Sequence, residues 1–398
     1  MSCVIAGGGP AGAVLALLLA RAGVEVTLLE KHADFLRDFR GDTIHPSTLQ
    51  VLDELGLTEE LLKLPHRKTY GFTLLTDDGR VQMADLHGLP GKYDYIAFVP
   101  QWDFLKIVTS AAERYPTFRL LMNAEAYGLI REGDTCKGLR YRDASGEHEI
   151  RAALTVAADG RGSVLRAAAG LVPQELGAPM DVLWFRLPRE ESDLDEPFLR
   201  VSAGNIMVGI NRVTYWQLAY VIHKGGHDRL VQEGIGTFRE TVARLLPFLE
   251  DRVGQIAGYD DLSTLTVALN RLRRWHRPGF LAIGDAAHAM SPVFGVGINL
   301  AVQDAVATAN LLAGRLRAGG PVPEQDLHRL ERRRLLPTRV TQAAQRLAQD
   351  RLIGPALDST GRAPGIPVRM IGSPLVRPLI RRFLGLGVRP EHVRTPVH

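Results

Sequence analysis

The sequence predicts an α/β protein in which a domain built on a parallel sheet carries an inserted β-sheet domain and ends in C-terminal helices. Three observations predict this class. A strand, a glycine turn, a helix and a second strand follow one another within the first thirty residues. Strand patterning dominates from Met180 to His223, and a buried strand followed by a long helix begins at Gly279. At 398 residues the chain also exceeds one typical domain.

The first thirty residues form the predicted βαβ unit. Val4 to Ala6 are a short apolar run that ends in glycines. A helix follows, with Pro10 near its first turn and Gly23 as its stop. The segment VEVTLLE alternates and then runs apolar like a parallel strand.

The later elements are predicted from periodicity and turn residues. Amphipathic helices are expected from His45 to Gly56 and from Trp102 to Arg114, with the strands YGFTLLT and YIAFVP between them. Hairpins are expected from Phe118 to Ala157, and a helical segment, IGTFRETVARLLPFLEDRV, closes the later β block. The C-terminal part is predicted to be helical up to about Leu352, with a kink at Pro337, and then extended and weakly ordered.

This order of elements predicts a discontinuous first domain. It comprises residues 1–70, 101–175 and 270–320, and residues 71–100 and 176–269 form the inserted β-sheet domain. Residues 321–398 form the C-terminal helices and tail.

Composition excludes several classes of partner. The net charge of +4 and pI of about 9.1 are too mild to indicate nucleic-acid binding. A cluster of arginines at positions 332–334 and 381–382 favours a solvated helix face or a flexible tail over an anion-binding surface. Two cysteines make no disulfide framework, and the apolar stretch AVLALLLA is too short for a membrane span. We therefore expect a cytoplasmic protein without a membrane span.

The stretch CVIAGGGPAG spaces its glycines as Gly7-x-Gly9-x-x-Gly12. Gly7 permits a tight turn, Gly9 lets the backbone approach a pyrophosphate, and Gly12 allows the helix to pack on the strand. The N-terminus of that helix, at Pro10 and Ala11, points free N–H groups at the phosphates. Glu30, followed by Lys31, ends the second strand, where it can accept hydrogen bonds from a ribose diol and repel a 2′-phosphate. The motif predicts a Rossmann-like dinucleotide site but does not distinguish NAD from FAD.

Two later segments, TVAADGRGSVLR and GFLAIGDAAHAMSPVFGVGINLAVQDA, decide between them. With the glycine loop, they resemble the three signatures of the single-component flavoprotein aromatic hydroxylases, the family of p-hydroxybenzoate hydroxylase. The resemblance covers about residues 3 to 350 and implies that the first domain binds FAD. The C-terminal thioredoxin-like domain of the larger phenol and polyketide hydroxylases is not included in this sequence.

The resemblance also assigns cofactor-binding residues. Asp285 follows a buried strand, and the matching family residue binds the ribityl chain of FAD. Asp159 serves the flavin phosphate region and reductant binding, with support from Arg161 and Arg166 or with those arginines on the surface. Pro292 lies beside the reactive flavin carbon. The other expected cofactor contacts are Arg40 (followed by Asp42), Gln101, Gly284, Gly295 and the N–H groups of Gly297, Ile298 and Asn299.

The family's reaction cycle follows from the resemblance. NADPH or NADH reduces FAD, O₂ adds to give a flavin C4a-hydroperoxide, and the distal oxygen passes to an aromatic or polyketide-like small molecule. The cofactor carries this chemistry, so the sequence needs no acid–base set and we name none. His288 is either a proton relay or, as its position favours, a packed loop histidine, and no metal-ligand spacing is recognised.

Aromatic residues of the sheet block and flavin loop are the candidate substrate contacts. An aromatic row in a sheet is more often core than pocket, so Phe294, inside the flavin loop, is the strongest candidate. The set comprises Phe72, Trp184, Tyr215, Trp216, Tyr220 and Phe294.

Other functions remain open at this stage. The main alternative is a flavin-dependent reductase of isoprenoid double bonds or another FAD oxidoreductase of the same fold. A flavin halogenase would carry two tryptophans flanking an Ile-Pro step, and this sequence does not. An NAD-dependent dehydrogenase would not need the two later motifs, and prenyl-binding escort proteins lose the flavin glycines. The sequence is compatible with a monomer or a homodimer.

Overall fold

The structure is a computed structural model, and it describes residues 1–36, 43–359 and 377–398. It confirms the predicted α/β class. The strands are β1 Cys3–Ala6, β2 Val26–Leu29, β3 Thr43–Ile44, β4 Arg67–Thr69, β5 Gly71–Thr76, β6 Gly79–Asp85, β7 Ile96–Phe98, β8 Phe118–Leu121, β9 Glu125–Glu132, β10 Thr135–Asp143, β11 Gly146–Arg151, β12 Leu154–Ala157, β13 Pro173–Glu175, β14 Met180–Pro188, β15 Phe198–Ser202, β16 Asn205–Asn211, β17 Tyr215–His223, β18 Ser263–Leu265, β19 Asn270–Leu272, β20 His276–Arg277 and β21 Phe280–Ala282.

Eleven α-helices connect these strands or follow them in the described chain. They are α1 Pro10–Arg21, α2 Pro46–Glu54, α3 Thr58–Lys63, α4 Gln101–Glu113, α5 Val164–Ala168, α6 His227–Glu233, α7 Ile235–Leu245, α8 Gly297–Arg317, α9 Glu324–Ala348, α10 Gly354–Asp358 and α11 Arg377–Leu386.

A six-stranded sheet holds the predicted βαβ unit. Its strand order is β20-β21-β12-β1-β2-β8, and all neighbours are parallel except β20 and β21. β1 has β2 on one side and β12 on the other, so the order of the chain reverses at this strand. Every residue of β1, β2 and β12 is buried, as expected for strands covered on both faces.

A seven-stranded sheet holds the predicted β block. Its order is β18-β14-β17-β16-β15-β5-β6, and β15 and β5 are its parallel pair. Side chains alternate between its faces. On one face Trp216, Leu218 and Tyr220 pack with Phe238 of α7, and on the other Val182, Ala219 and Val221 form a separate cluster that reaches Val293.

The C-terminal segment differs from the expected weakly ordered tail. α9 stays helical through Pro337, and α11 follows later in the chain. Beyond it, Glu391 and Thr395 are buried. The arginine cluster is likewise not a simple solvated face, since Arg334 is only 1% exposed in its side chain. The partners that bury these residues are distant in sequence, so local composition does not reveal them.

One helical stretch, Val293–Arg317, is long and apolar enough to cross a membrane by length and composition, but 83% of its most apolar window is buried inside the protein. Within the described part of the chain it is therefore a core helix of the first sheet, against which α1 packs. Cys3 and Cys136 are both free and buried.

Candidate active site

The three motif segments meet at one edge of the parallel sheet. β1, β12 and β21 are neighbours, and each motif follows the carboxyl end of its strand. Backbone bonds hold the ends in register, with the Ala158 N–H 2.8 Å from the Ala6 oxygen and the Ile283 N–H 3.0 Å from the Ala157 oxygen. Ligands of open α/β sheets bind in the crevice outside this edge, at the point where strand order reverses.

The glycines of the first motif differ in what a side chain at each position would contact. Gly7 has φ +106°, and a Cβ there would overlap the Ala158 carbonyl, while a Cβ at Gly12 would overlap the Gly7 oxygen. Gly9 has φ −71°, and a Cβ there would meet no atom within 4 Å. Protein packing therefore explains Gly7 and Gly12, whereas Gly9 leaves open space at the N-terminus of α1.

The same open space continues in the later motifs. Gly160, Gly162 and Gly297 also have no neighbouring atom within 4 Å of an added Cβ. Gly284, with φ +58°, lies against α1, where its added Cβ would be 3.0 Å from that of Ala11. Gly284 thereby connects the third motif to the first turn of α1, which contains Pro10.

Glu30 shapes the glycine turn in this structure. Its carboxylate accepts the backbone N–H groups of Gly8 and His32, each at 3.0 Å, and its side chain is buried. Lys31 beside it is exposed. The expected contact of Glu30 with a ribose remains a prediction, since carboxylate oxygens can each accept a further hydrogen bond.

Asp159 lies directly after β12 and caps the start of α5. Its oxygens accept the Ser163 hydroxyl at 2.5 Å and the Leu165 N–H at 3.2 Å. Burial raises the pKa of the Asp159 carboxyl above its usual value, although both hydrogen bonds oppose that rise.

Arg161 and Arg166 connect the second motif to the third. Arg161 Nε donates to Asp285 at 3.1 Å, and the buried Arg166 donates to the Ala286 carbonyl at 3.2 Å. Neither is the free surface arginine of the alternative interpretation. Asp285 itself lies in a short turn, Gly284–Ala286, and 35% of its side chain is exposed, so it faces the crevice instead of being buried behind the strand.

A short turn from Val293 to Gly295 forms the loop before α8. Pro292 precedes this turn, and Phe294 has φ +72°, which is rare for a bulky side chain. That conformation leaves Phe294 39% exposed. The loop is fixed at Gly295, whose carbonyl accepts the Thr43 hydroxyl at 2.8 Å.

Helix α8 begins at Gly297, so the N–H groups of its first turn have no acceptor within the helix. Ile298 and Asn299 in this turn are buried. The Asn299 side chain is engaged by Ser47 and Thr48, whose hydroxyls donate to its oxygen at 2.7 Å. The side-chain oxygen of Asn299 is thus occupied, and the predicted contact of its backbone N–H with the cofactor stays a prediction.

Asp304 is a site residue that sequence reasoning missed. Its buried carboxylate accepts the Gly284 N–H at 3.1 Å and Arg334 Nε at 2.9 Å, and lies 2.6 Å from His288 Nε2. Burial opposes its ionisation, but His288 and Arg334 bring the pKa of Asp304 below its usual value. His288 is fully buried beside Trp275, which agrees with a packed loop histidine.

A ladder of glutamines on α9 was also missed. Gln342, Gln345 and Gln349 are buried on one face of the helical segment. Gln342 donates to the Ala289 carbonyl, and Gln345 to the Ser291 and Val293 carbonyls, at 2.8–3.2 Å. Their regular spacing in TQAAQRLAQ is a signal that could have identified them.

Helix α11 covers the loop from the other side. Phe383 meets Phe294 edge-on, with ring centroids 5.9 Å apart. The buried His45 lies 2.7 Å from the Leu384 carbonyl and 3.2 Å from that of Gly295, and thereby links α11 to the loop. No periodicity in the sequence indicates this contact, because α11 lies far beyond the motifs.

The aromatic residues predicted to contact the substrate lie on different faces of the seven-stranded sheet. Trp216 and Tyr220 point to the face covered by α7, where Trp216 Nε1 donates to Asp193 and the Tyr220 hydroxyl to Asn205. These two rings belong to the core, on the sheet face opposite the cluster that contains Val293. Trp184 lies on the opposite face, in the cluster that includes Val293.

The remaining candidates lie at the rim of this region or outside the described chain. Phe72 meets the ring of Phe98 edge-on at 6.5 Å, and the ring of Tyr215 lies under Arg186. Gln101 is half-buried at the start of α4, which packs on α1. Arg40 and Asp42 fall outside the described residues.

The sequence of this chain is similar to those of known proteins. Residues 1–344 match the family described as FAD binding domain. The chain is 30% identical over 383 residues to 6-methylpretetramide 4-monooxygenase of Streptomyces rimosus, covering 96% of this chain and 91% of that protein. It is 24% identical over 354 residues to para-nitrophenol 4-monooxygenase of a Pseudomonas species, covering 83% of this chain and 82% of that protein.

Solved structures share the fold. The crystal structure of p-nitrophenol 4-monooxygenase from Pseudomonas putida superposes with a TM-score of 0.78 at 20% identity, covering 98% of both chains.

We predict that Asp304→Asn destabilises the protein by about 3–5 kcal/mol, because it leaves the buried Arg334 facing a neutral group. Denaturant unfolding measures the change. As a control, Asp326→Asn breaks the more exposed pair with Arg315 and should cost at most about 1 kcal/mol. Equal losses in the two variants would contradict the role given to Asp304.

Proposed function

This chain belongs to the FAD-binding domain family and is an FAD-dependent monooxygenase, and we propose that it hydroxylates an aromatic or polyketide-like small molecule. In this proposal NADH or NADPH is the reductant and O₂ the oxidant. The observation that carries the proposal is the meeting of three motif segments around open space at the N-terminus of α1. The monooxygenase relatives support the reaction class.

The residues present fit FAD. Gly9 and the first turn of α1 would receive the pyrophosphate, since free N–H groups and open space meet there. Asp285 faces the crevice with a partly exposed carboxylate, as a ribityl contact requires. We propose the full set Gly7, Gly9, Pro10, Ala11, Gly12, Glu30, Lys31, Gln101, Asp159, Gly284, Asp285, Pro292, Gly295, Gly297, Ile298 and Asn299, with Arg40 as a further contact.

When bound, FAD would accept a hydride from the nicotinamide cofactor and activate O₂ for transfer of one oxygen atom to the substrate. The protein supplies position and electrostatics. The free N–H groups at the N-terminus of α8 would stabilise negative charge on the reduced flavin. The contact between Phe294 and Phe383 would help to exclude water beside Pro292 once substrate is bound.

We infer that the substrate lies between the loop at Phe294 and the sheet face that carries Trp184. Trp184 Nε1 is buried and has no hydrogen-bond partner among the described residues, so a substrate oxygen could accept from it. Phe72, Tyr215 and Phe294 complete the proposed lining. The names of the relatives, 6-methylpretetramide and para-nitrophenol monooxygenases, support an aromatic ring as the common feature.

The first experiment tests the function directly. We expect purified protein to show a flavin spectrum that NADPH or NADH bleaches and that oxygen restores. In the presence of labelled O₂, one labelled oxygen atom should enter an aromatic substrate from a panel that includes p-nitrophenol and 6-methylpretetramide. Protein that cannot bind FAD, or that reduces an isoprenoid double bond without incorporating oxygen, would refute the proposal.

We predict that Gly9→Ala lowers FAD affinity by about tenfold or more without unfolding the protein, because its Cβ enters only the ligand space. FAD retained after gel filtration and the thermal stability of the apoprotein measure the two effects. Gly254→Ala is the matched control, since its Cβ also meets no atom within 4 Å but lies outside the crevice. Unchanged FAD retention in Gly9→Ala would exclude phosphate binding at this turn.

We predict that Phe383→Ala uncouples the reaction, so that more NAD(P)H yields H₂O₂ and less yields hydroxylated product. The expected reason is water entry beside Phe294 once its edge-on partner is removed. Product and H₂O₂ per NAD(P)H consumed are the measurements. Leu379→Ala, at a 68% exposed position of the same helix, should leave the ratio unchanged. An unchanged ratio in Phe383→Ala would place α11 outside the site.

A further inference from the structure

A cluster of histidines and glutamates lies away from the cofactor crevice. His276 belongs to the edge strand β20. Glu324, His328 and Glu331 lie in α9, at successive spacings of four and three residues. This spacing places the three α9 residues on one helix face. Potential ligand atoms of His276, His328 and Glu331 all lie within 4.8 Å of one another.

His276 is the unusual member of the cluster. Its side chain is 1% exposed, and neither ring nitrogen has a hydrogen-bond partner among the described residues. Nε2 lies 3.5 Å from Glu331 Oε2, and Nδ1 lies 3.6 Å from Glu324 Oε1. A buried imidazole with neither nitrogen hydrogen-bonded calls for an explanation, and a bound ion is one that the neighbouring carboxylates allow.

Glu331 places a buried carboxylate beside this imidazole. Only 8% of its side chain is exposed, and its Oε2 accepts the Trp275 N–H at 2.8 Å. Each carboxylate oxygen can accept more than one partner, so Glu331 retains capacity to bind a cation beside His276.

The distances fit two ligands of one metal ion better than a hydrogen bond. Hydrogen bonds between nitrogen and oxygen span about 2.7–3.2 Å. Two ligands about 2.0–2.1 Å from a tetrahedral zinc ion lie about 3.3 Å apart, close to the 3.5 Å between His276 Nε2 and Glu331 Oε2.

We propose that His276, His328 and Glu331 bind a divalent cation of the zinc type. Nitrogen and carboxylate ligands in a set of three, with a fourth position for water, suit this ion. Glu324 faces the other nitrogen of His276 and would fix its orientation, the usual second partner of a metal-bound histidine. His328 is exposed and has the freedom to close the remaining gap.

The ion would join the start of α9 to the edge of the parallel sheet. Trp275, next to His276, stacks on His288 at a centroid distance of 4.9 Å, and His288 contacts Asp304. Metal binding would therefore affect the turn that carries Asp285 through these contacts. The fluorescence of Trp275 would report metal binding. This site does not depend on the proposed substrate or reductant.

The test is a zinc titration of the chelator-treated, FAD-loaded protein after removal of any polyhistidine tag. We expect one zinc ion per chain by calorimetry, and a tetrahedral visible spectrum with Co²⁺ as the probe. His328→Gln changes an exposed side chain and should weaken binding by about 100-fold or more, since even outer partners of metal ligands are worth 10- to 100-fold. His392→Gln, another exposed histidine, should leave binding unchanged.

Two results would overturn the proposal. One is the absence of zinc binding in the folded, FAD-containing protein. The other is zinc binding in His328→Gln and Glu331→Gln that is as strong as in the unmutated protein, which would locate the ion elsewhere. If no zinc binds and NMR shows His276 as a protonated ring, the cluster is an ion pair of His276 with Glu324 and Glu331. FAD content is followed in the same samples, so loss of the cofactor site and loss of the metal site are distinguished.

Discussion

The arrangement of the active site depends on the buried carboxylate of Asp304. A charge inside a protein is stable only when ionic and hydrogen-bonding partners replace the lost water. Asp304 takes those partners from two segments: the Gly284 N–H and His288 from the loop after β21, and Arg334 from α9. Because these groups must converge on one carboxylate, the turn that carries Asp285 has a fixed position relative to α8 and α9. The charge therefore positions the crevice without being part of it.

Helix α9 acts as the support of the whole loop region. Arg334 reaches Asp304, and the side chains of Gln342 and Gln345 hold backbone carbonyls between Ala289 and Val293. The C-terminal segment supports the helix in turn, since Glu391 accepts two hydrogen bonds from Arg333. Amide side chains are suited to this role, because they bind backbone carbonyls without introducing a further charge. Buried polar contacts thus hold the loop from Ala289 to Val293 against α9.

Local patterns predicted the parts of the molecule whose causes are local. The glycine turn, α1 and the run after Gly279 follow from conformational limits and periodicity within short windows. The two later motifs located Asp159 and Asp285 through a family resemblance. Asp304 was missed because it is a single polar residue in an apolar helix whose partners lie far away in sequence. Phe383 and the buried residues of the C-terminal segment were missed because their partners are also distant in sequence. The sheet face of Trp216 could not be assigned before the strand register was known.

The strand order affects how the first sheet can form during biosynthesis. Cys3 pairs with Val26 of β2 on one side but with Leu154 of β12 on the other, and β12 pairs in turn with β21. Chains emerge from the ribosome N-terminus first, and parallel pairings across such separations form slowly. One edge of the apolar β1 is therefore uncovered until β12 has been translated. Because an uncovered apolar strand edge is a template for pairing between chains, we expect chains truncated before β12 to aggregate.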